Sequence, residues 1–187
     1  MRNTIHNTAV LQNLVDLETF QFTAGETELR NALPRWIHRA SSSPLKKVLE
    51  QYLAVTEEQL QKLEEVKEPV MSISSAITNN VIKALIEDAE EKIEQCKGSE
   101  IQDACLLACI HSINHFKLIN YNTGYAFANA LGMEKEKSVF MDAEINEKQI
   151  DETLSDLEDE EYALQNSIPT TSKIFKSYKQ YIGSKVF

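Results

Sequence analysis

Glu26, His115 and Glu147 are the residues of this chain best suited to hold a metal ion. Two carboxylates and an imidazole suit iron or another divalent metal, because the carboxylates balance its charge and the ring nitrogen completes the coordination. Each falls where a helical apolar stripe predicts a core contact. Glu26 lies between Phe22 and Leu29, His115 on a face with Ala104, Ala108 and Leu118, and Glu147 between Ala143 and Ile150. Thr56 and Gln59, between Tyr52 and Leu63, and His111, one turn before His115, occupy equivalent places. A buried carboxylate without a partner is costly, so these groups must meet each other, water or a metal. Two arrangements are open. One is a mononuclear metal site on Glu26, His115 and Glu147; the other is a hydrogen-bonded polar layer of the same residues with Thr56, Gln59 and His111, and no cofactor. A di-iron bundle centre would need a Glu-x-x-His pair on each of two helices, and that motif does not occur in the chain.

Other reactive residue types give weaker signals. Cys105 and Cys109 stand four apart in a helical pattern. That spacing is poor for a disulfide, so they read as small core residues. His111 and His115 share the spacing of a zinc-binding helix, but Ser112 stands where such a motif carries Glu. With no third ligand near in sequence, imidazoles satisfied in the core or at an interface are favoured. No phosphate-binding glycine loop, nucleophile elbow or Ser/His/Asp order is present. The expectation is a protein without robust catalysis.

The elements that must position these groups are helices. The chain has 187 residues, 42% of them apolar and 26% charged, with only 5 Gly and 4 Pro. Apolar residues recur with a period near 3.6, which marks amphipathic helices and no strands. Long helices are predicted over 7–40, 43–67, 99–131 and 134–163, with a shorter one over 76–96. Gly25 and Pro34 weaken the first and invite a kink. Ser43 is the expected N-cap of the second, with Pro44 at its first position. Residues 68–75 read as a linker, Lys97-Gly98 as a C-terminal cap, Ser99 as the next N-cap, and Gly132 as a stop. Short loops pair the long helices as two antiparallel hairpins, and the segment over 68–98 can cross the bundle. The fold class is therefore all-α, a ferritin-like four-helix bundle with an additional short helix in the long crossover. Residues 1–166 form the bundle and 167–187 a basic, aromatic tail: four of the 19 basic residues and none of the 29 acidic ones lie in it. That tail is either frayed or a docking segment for an acidic face such as Asp142–Glu161, or for an unknown protein partner.

The net charge of −10 disfavours nucleic-acid binding, and no apolar run is long enough to span a membrane. Met1-Arg2-Asn3-Thr4 opens no apolar leader, and three cysteines fit a reduced, cytoplasmic setting.

Several stretches resemble the YciE/YciF-type bacterial ferritin-like family. Glu26-Thr-Glu-Leu-Arg-Asn-Ala-Leu33 is similar to its Ala-Glu-Lys-Gln-Leu…Ala-Leu stretch, and Tyr52-Leu-Ala-Val-Thr-Glu-Glu-Gln-Leu60 to its His-Leu-Glu-Glu-Thr-x-Gly-Gln segment. Ile101-Gln-Asp-Ala-Cys-Leu106 resembles its Val-Arg-Asp-Ala-Ala-Leu, and Asn114-His-Phe-Lys117 with Tyr121 its Glu-His-Tyr-Glu…Tyr. The resemblance spans about residues 14–160 and implies a stress-associated, homodimeric bundle of poorly defined activity with a carboxylate-rich, di-metal type of centre. By position, Glu26 keeps the first-helix acid, and Ala54 and Val55 replace an acid pair, while Thr56 and Gln59 remain. Asn114 and Lys117 replace two acids around His115, and three acids become Ile145, Asn146 and Glu147. An ammonium at Lys117 would oppose a dication. The resemblance therefore implies a largely dismantled metal site.

Overall fold

The structure, a computed structural model, describes residues 2–67 and 77–163, with side chains over 9–67 and 77–158. The predicted linker at 68–75, the predicted start of the short helix at Ala76 and the tail at 167–187 lie outside them. Among the described residues all regular structure is helical: α1 (Arg2–Arg39), α2 (Ser43–Val66), α3 (Asn80–Gln95), α4 (Ser99–Leu131) and α5 (Glu134–Ala163). None of these helices is long and apolar enough to cross a membrane.

α1 runs unbroken through both residues expected to disturb it. Pro34 withholds one backbone donor, but Leu33 and Trp36 beside it are fully buried, and that packing holds the helix together. Gly25 serves a close approach: a Cβ there would stand 3.0 Å from Asn79 Nδ2 and 3.2 Å from Ile82 Cγ1. Asn79 caps α3 by accepting the N–H of Ile82 at 3.0 Å and donates to the carbonyl of Gln21 at 3.2 Å, so one side chain ties the start of α3 to α1. The short helix therefore starts later than the sequence pattern predicts.

Three expected caps shift. Ser42, not Ser43, caps α2, its hydroxyl accepting from Leu45 N. The turn is set from a distance: the Asp103 carboxylate accepts the N–H of Ser41 at 2.8 Å and of Ser42 at 2.6 Å. α3 closes at Cys96 rather than at Lys97-Gly98. Gly98, at φ +100°, instead occupies the N-cap of α4, with Ser99 already helical; that backbone conformation favours glycine. Gly132 ends α4 as expected, in the left-handed conformation at φ 68°.

α1 with α2 and α4 with α5 form the two closest-packed hairpins; α2 on α5 and α1 on α4 complete the bundle, and α3 lies over α1 and α4. Glu90 fastens α3, accepting from Trp36 Nε1 at 3.0 Å and Arg35 Nη2 at 3.0 Å. The apolar interior is divided in two. Leu29, Leu33, Trp36, Leu49, Tyr52, Ile110, Ile113, Ile150 and Leu154 belong to the larger cluster, and Val15, Phe22, Leu63, Tyr121, Phe140 and Ala143 to the smaller. In each long helix the break between clusters falls where the sequence sets its polar core residues.

Candidate functional site

The gap between the clusters is filled by an ion-pair layer centred on Lys117. Each helix brings its member by stripe spacing: Glu26 one turn from Phe22, Lys117 one turn from Ile113 and Tyr121, Glu147 one turn from Ala143. Glu26, Lys117 and Glu147 are all almost fully buried. Lys117 Nζ stands 2.9 Å from Glu26 Oε1 and 2.7 Å from Glu147 Oε1. Tyr52 donates to Glu147 Oε2 at 2.8 Å, Asn114 Nδ2 donates to the same oxygen at 2.8 Å, and Tyr121 donates to Glu26 Oε1. The ammonium also lies 3.3 Å from Tyr52 Oη and 4.7 Å from the centre of that ring, where a cation is attracted by the π face.

The charges in this layer adjust to one another. Burial disfavours the Glu26 carboxylate and, after the opposing pull of Lys117 and the push of Glu147, its pKa stands at about 7. Burial likewise disfavours the Lys117 ammonium, but Glu147 and Glu26 outweigh it and raise its pKa above the ordinary lysine value. Lys117 thus remains a cation beside two acids, one of which holds its proton readily. Thr56 and Gln59 adjoin the layer on α2 and are fully buried; Gln59 Nε2 reaches the carbonyl of Ala143 at 3.4 Å.

Of the three residues named as metal ligands from the sequence, the fold brings Glu26 and Glu147 to a common point and turns His115 elsewhere. That point is taken by the Lys117 ammonium. Two divalent cations in a bundle of this class want four carboxylates and two imidazoles. Two carboxylates, two phenols, an amide and an ammonium do not fit that group.

His115 belongs to a second cluster between α4 and α5. Its Nε2 lies 2.6 Å from Asp151 Oδ1. His111 is buried one turn earlier, with Nε2 3.4 Å from the same oxygen and Nδ1 2.9 Å from Glu158 Oε1. Burial opposes charge on His111, but hydrogen bonds to Asp151 and Glu158 prevail and lift its pKa to about 9. Burial would raise Asp151, and the two imidazoles overcome it, holding the carboxyl well below its usual range. Among the cysteines, burial pushes the Cys105 thiol up to about 12, leaving it protonated and weakly nucleophilic near neutral pH.

The sequence pattern does not mark Asn114, Tyr52 and Tyr121 as members of the layer, and Lys117, expected there to oppose a metal, is instead its centre. The signal was present: Ile110, Ile113, Lys117 and Tyr121 follow one another at three or four residues along one stripe. Asp151 and Glu158 carried no such signal, since nothing in the chain says which acids of α5 face the histidines of α4.

Comparison with known proteins agrees with this architecture. Residues 22–166 match the profile of a domain of unknown function, DUF892. Protein YciF of Escherichia coli (strain K12) is 27% identical over 135 residues, spanning 72% of this chain and 81% of that one. The crystal structure of the E. coli stress protein YciF superposes with a TM-score of 0.72 at 24% identity, covering 79% of this chain and 93% of that one. YcfI from Rhodopseudomonas palustris gives a TM-score of 0.72 at 23% identity, covering 77% and 92%. The chain belongs to the DUF892 family, the YciE/YciF type of ferritin-like helical bundle.

Proposed function

We propose that this protein is a ferritin-like bundle without catalytic turnover, in which an internal ammonium takes the place of a metal centre. The observation that carries the reading is the position of Lys117 Nζ, 2.9 Å and 2.7 Å from the two acids that a metal would need. An internal cation neutralises the carboxylates at any metal concentration, so the fold stands without a cofactor. The stress association in the name of E. coli YciF is carried over to this chain as its cellular setting, with a homodimer in the cytoplasm as the working form.

Elemental analysis of tag-free protein, desalted after aerobic incubation with Fe(II), tests the central claim. No iron is expected that Glu26→Gln or Glu147→Gln removes. A stoichiometric iron load that disappears in those variants overturns the reading and points to an oxidase or iron-handling site. The dimer is tested by light scattering at micromolar concentration, where a mass of one chain would rule it out.

A further inference from the structure

We propose that His111, His115 and Asp151 form a binding site for one divalent transition metal of the zinc, cobalt and iron class, set apart from the central layer and oriented by Glu158. One donor atom from each of the three lies within 4.8 Å of the other two. A tetrahedral site with bonds of ~2.0–2.1 Å needs donors roughly 3.3 Å apart, so small ring tilts complete it. The helix has already set the imidazoles alongside each other, with centroids 5.2 Å apart and planes 26° from parallel. Asp151 Oδ1 is the common neighbour of both Nε2 atoms, at 2.6 Å and 3.4 Å.

Glu158 supplies the second observation. It is itself buried, and its Oε1 lies 2.9 Å from His111 Nδ1. A carboxylate there holds a ring proton on Nδ1, so that Nε2, once its own proton is displaced, presents its lone pair to an ion, the arrangement that orients a histidine ligand. That Nε2 atom is buried, on a residue only 6% exposed, and faces Asp151 Oδ1 at 3.4 Å. The two Nε2 atoms are thus aimed at one carboxylate oxygen. A metal ion there would accept the lone pairs of both rings and displace the proton that each Nε2 holds toward Asp151, so binding releases protons. His115 and Asp151 are each about one-third exposed, at 32% and 31%, which gives an ion a way in and leaves a coordination position for water. Two imidazoles and one carboxylate suit borderline metals rather than calcium or magnesium, which prefer oxygen.

The test is titration of tag-free, chelator-treated protein with Co(II), read by its visible absorption, and with Zn(II), read by calorimetry. One ion per chain is expected. Affinity should fall at least tenfold in His115→Gln and in Asp151→Asn, and about 10–100-fold in Glu158→Gln. It should be unchanged in Glu26→Gln, which separates this site from the central layer. Circular dichroism checks that each variant keeps its helices, and the partly exposed His115 provides a substitution the fold tolerates. Absence of one-to-one binding, or binding that survives both His115→Gln and Asp151→Asn, overturns the proposal: the cluster is then a proton-held ion pair only. Binding abolished by Glu26→Gln would overturn it as well, and the central-layer reading with it.

Discussion

Lys117 is the residue on which the interior depends. Its charge is tolerable because two acids lie within 3 Å of it, and theirs is tolerable because of Lys117. Removing one member of such a buried set leaves uncompensated charge and costs about 3–5 kcal/mol. Lys117→Met should therefore lower the denaturation midpoint sharply, and adding Glu26→Gln with Glu147→Gln should recover most of the loss, because no unpaired charge is left. A Lys117→Met protein as stable as the parent would contradict this. Glu26 also gives the molecule a pH dependence. Lys117, Glu147 and the Tyr121 hydroxyl face it, and its pKa rises from 4.5 in the unfolded chain to about 7 in the fold. The folded state then binds more protons between those values, so this contribution favours folding at low pH and is lost as pH climbs through about 7. Urea midpoints across that window should fall more steeply for the parent than for Glu26→Gln. Parallel curves would show that Glu26 titrates normally.

At the scale of elements, junctions are held by single polar side chains reaching from a distant helix. Asp103, on α4, is 4% exposed and accepts the N–H groups of Ser41 and Ser42 where α1 turns into α2. Those donors have no helical partner of their own, because they precede the first turn of α2. Asp103→Ala should destabilise by ~1–3 kcal/mol, the usual cost of leaving buried donors unsatisfied. A change confined to a few tenths would mean that water replaces the carboxylate. Asn79 does the same for α3 and α1, and Gly25 leaves it the room. At the α1–α2 junction the cap predicted from local sequence is displaced by one residue, to Ser42, where the long-range hydrogen bonds to Asp103 fix the turn.

Across the whole molecule, the polar layer lies between two apolar clusters contributed by the same four long helices. Neither cluster can come apart without straining the layer, so the bundle should lose its protection in hydrogen exchange as one unit from Phe20 onwards in α1. The first part of that helix is different. Val10, Leu14 and Leu17 are 47%, 36% and 40% exposed, and sparse burial lowers the cost of local opening. Exchange measured by mass spectrometry should be fastest there; uniform protection along α1 would instead indicate that a second chain covers those residues.

The short loops determined the antiparallel pairing, and the helical periodicity by itself determined the five helices and the level at which polar groups enter the core. That follows because side chains three and four apart share a face whatever lies opposite. It also isolated Glu26, Thr56, Gln59, His111, His115 and Glu147 as residues that would need partners inside, and of these His115 is one-third exposed. It could not choose the partners. Whether the Lys117 ammonium points into the layer, and whether His115 joins Glu26 or Asp151, depends on how two helices are rotated against each other. A helix rotation of a single residue position exchanges a core neighbour for a surface one. Tertiary packing therefore decided that Glu26 and Glu147 share an ammonium, and that Asp151 comes to lie against both of the i, i+4 histidines.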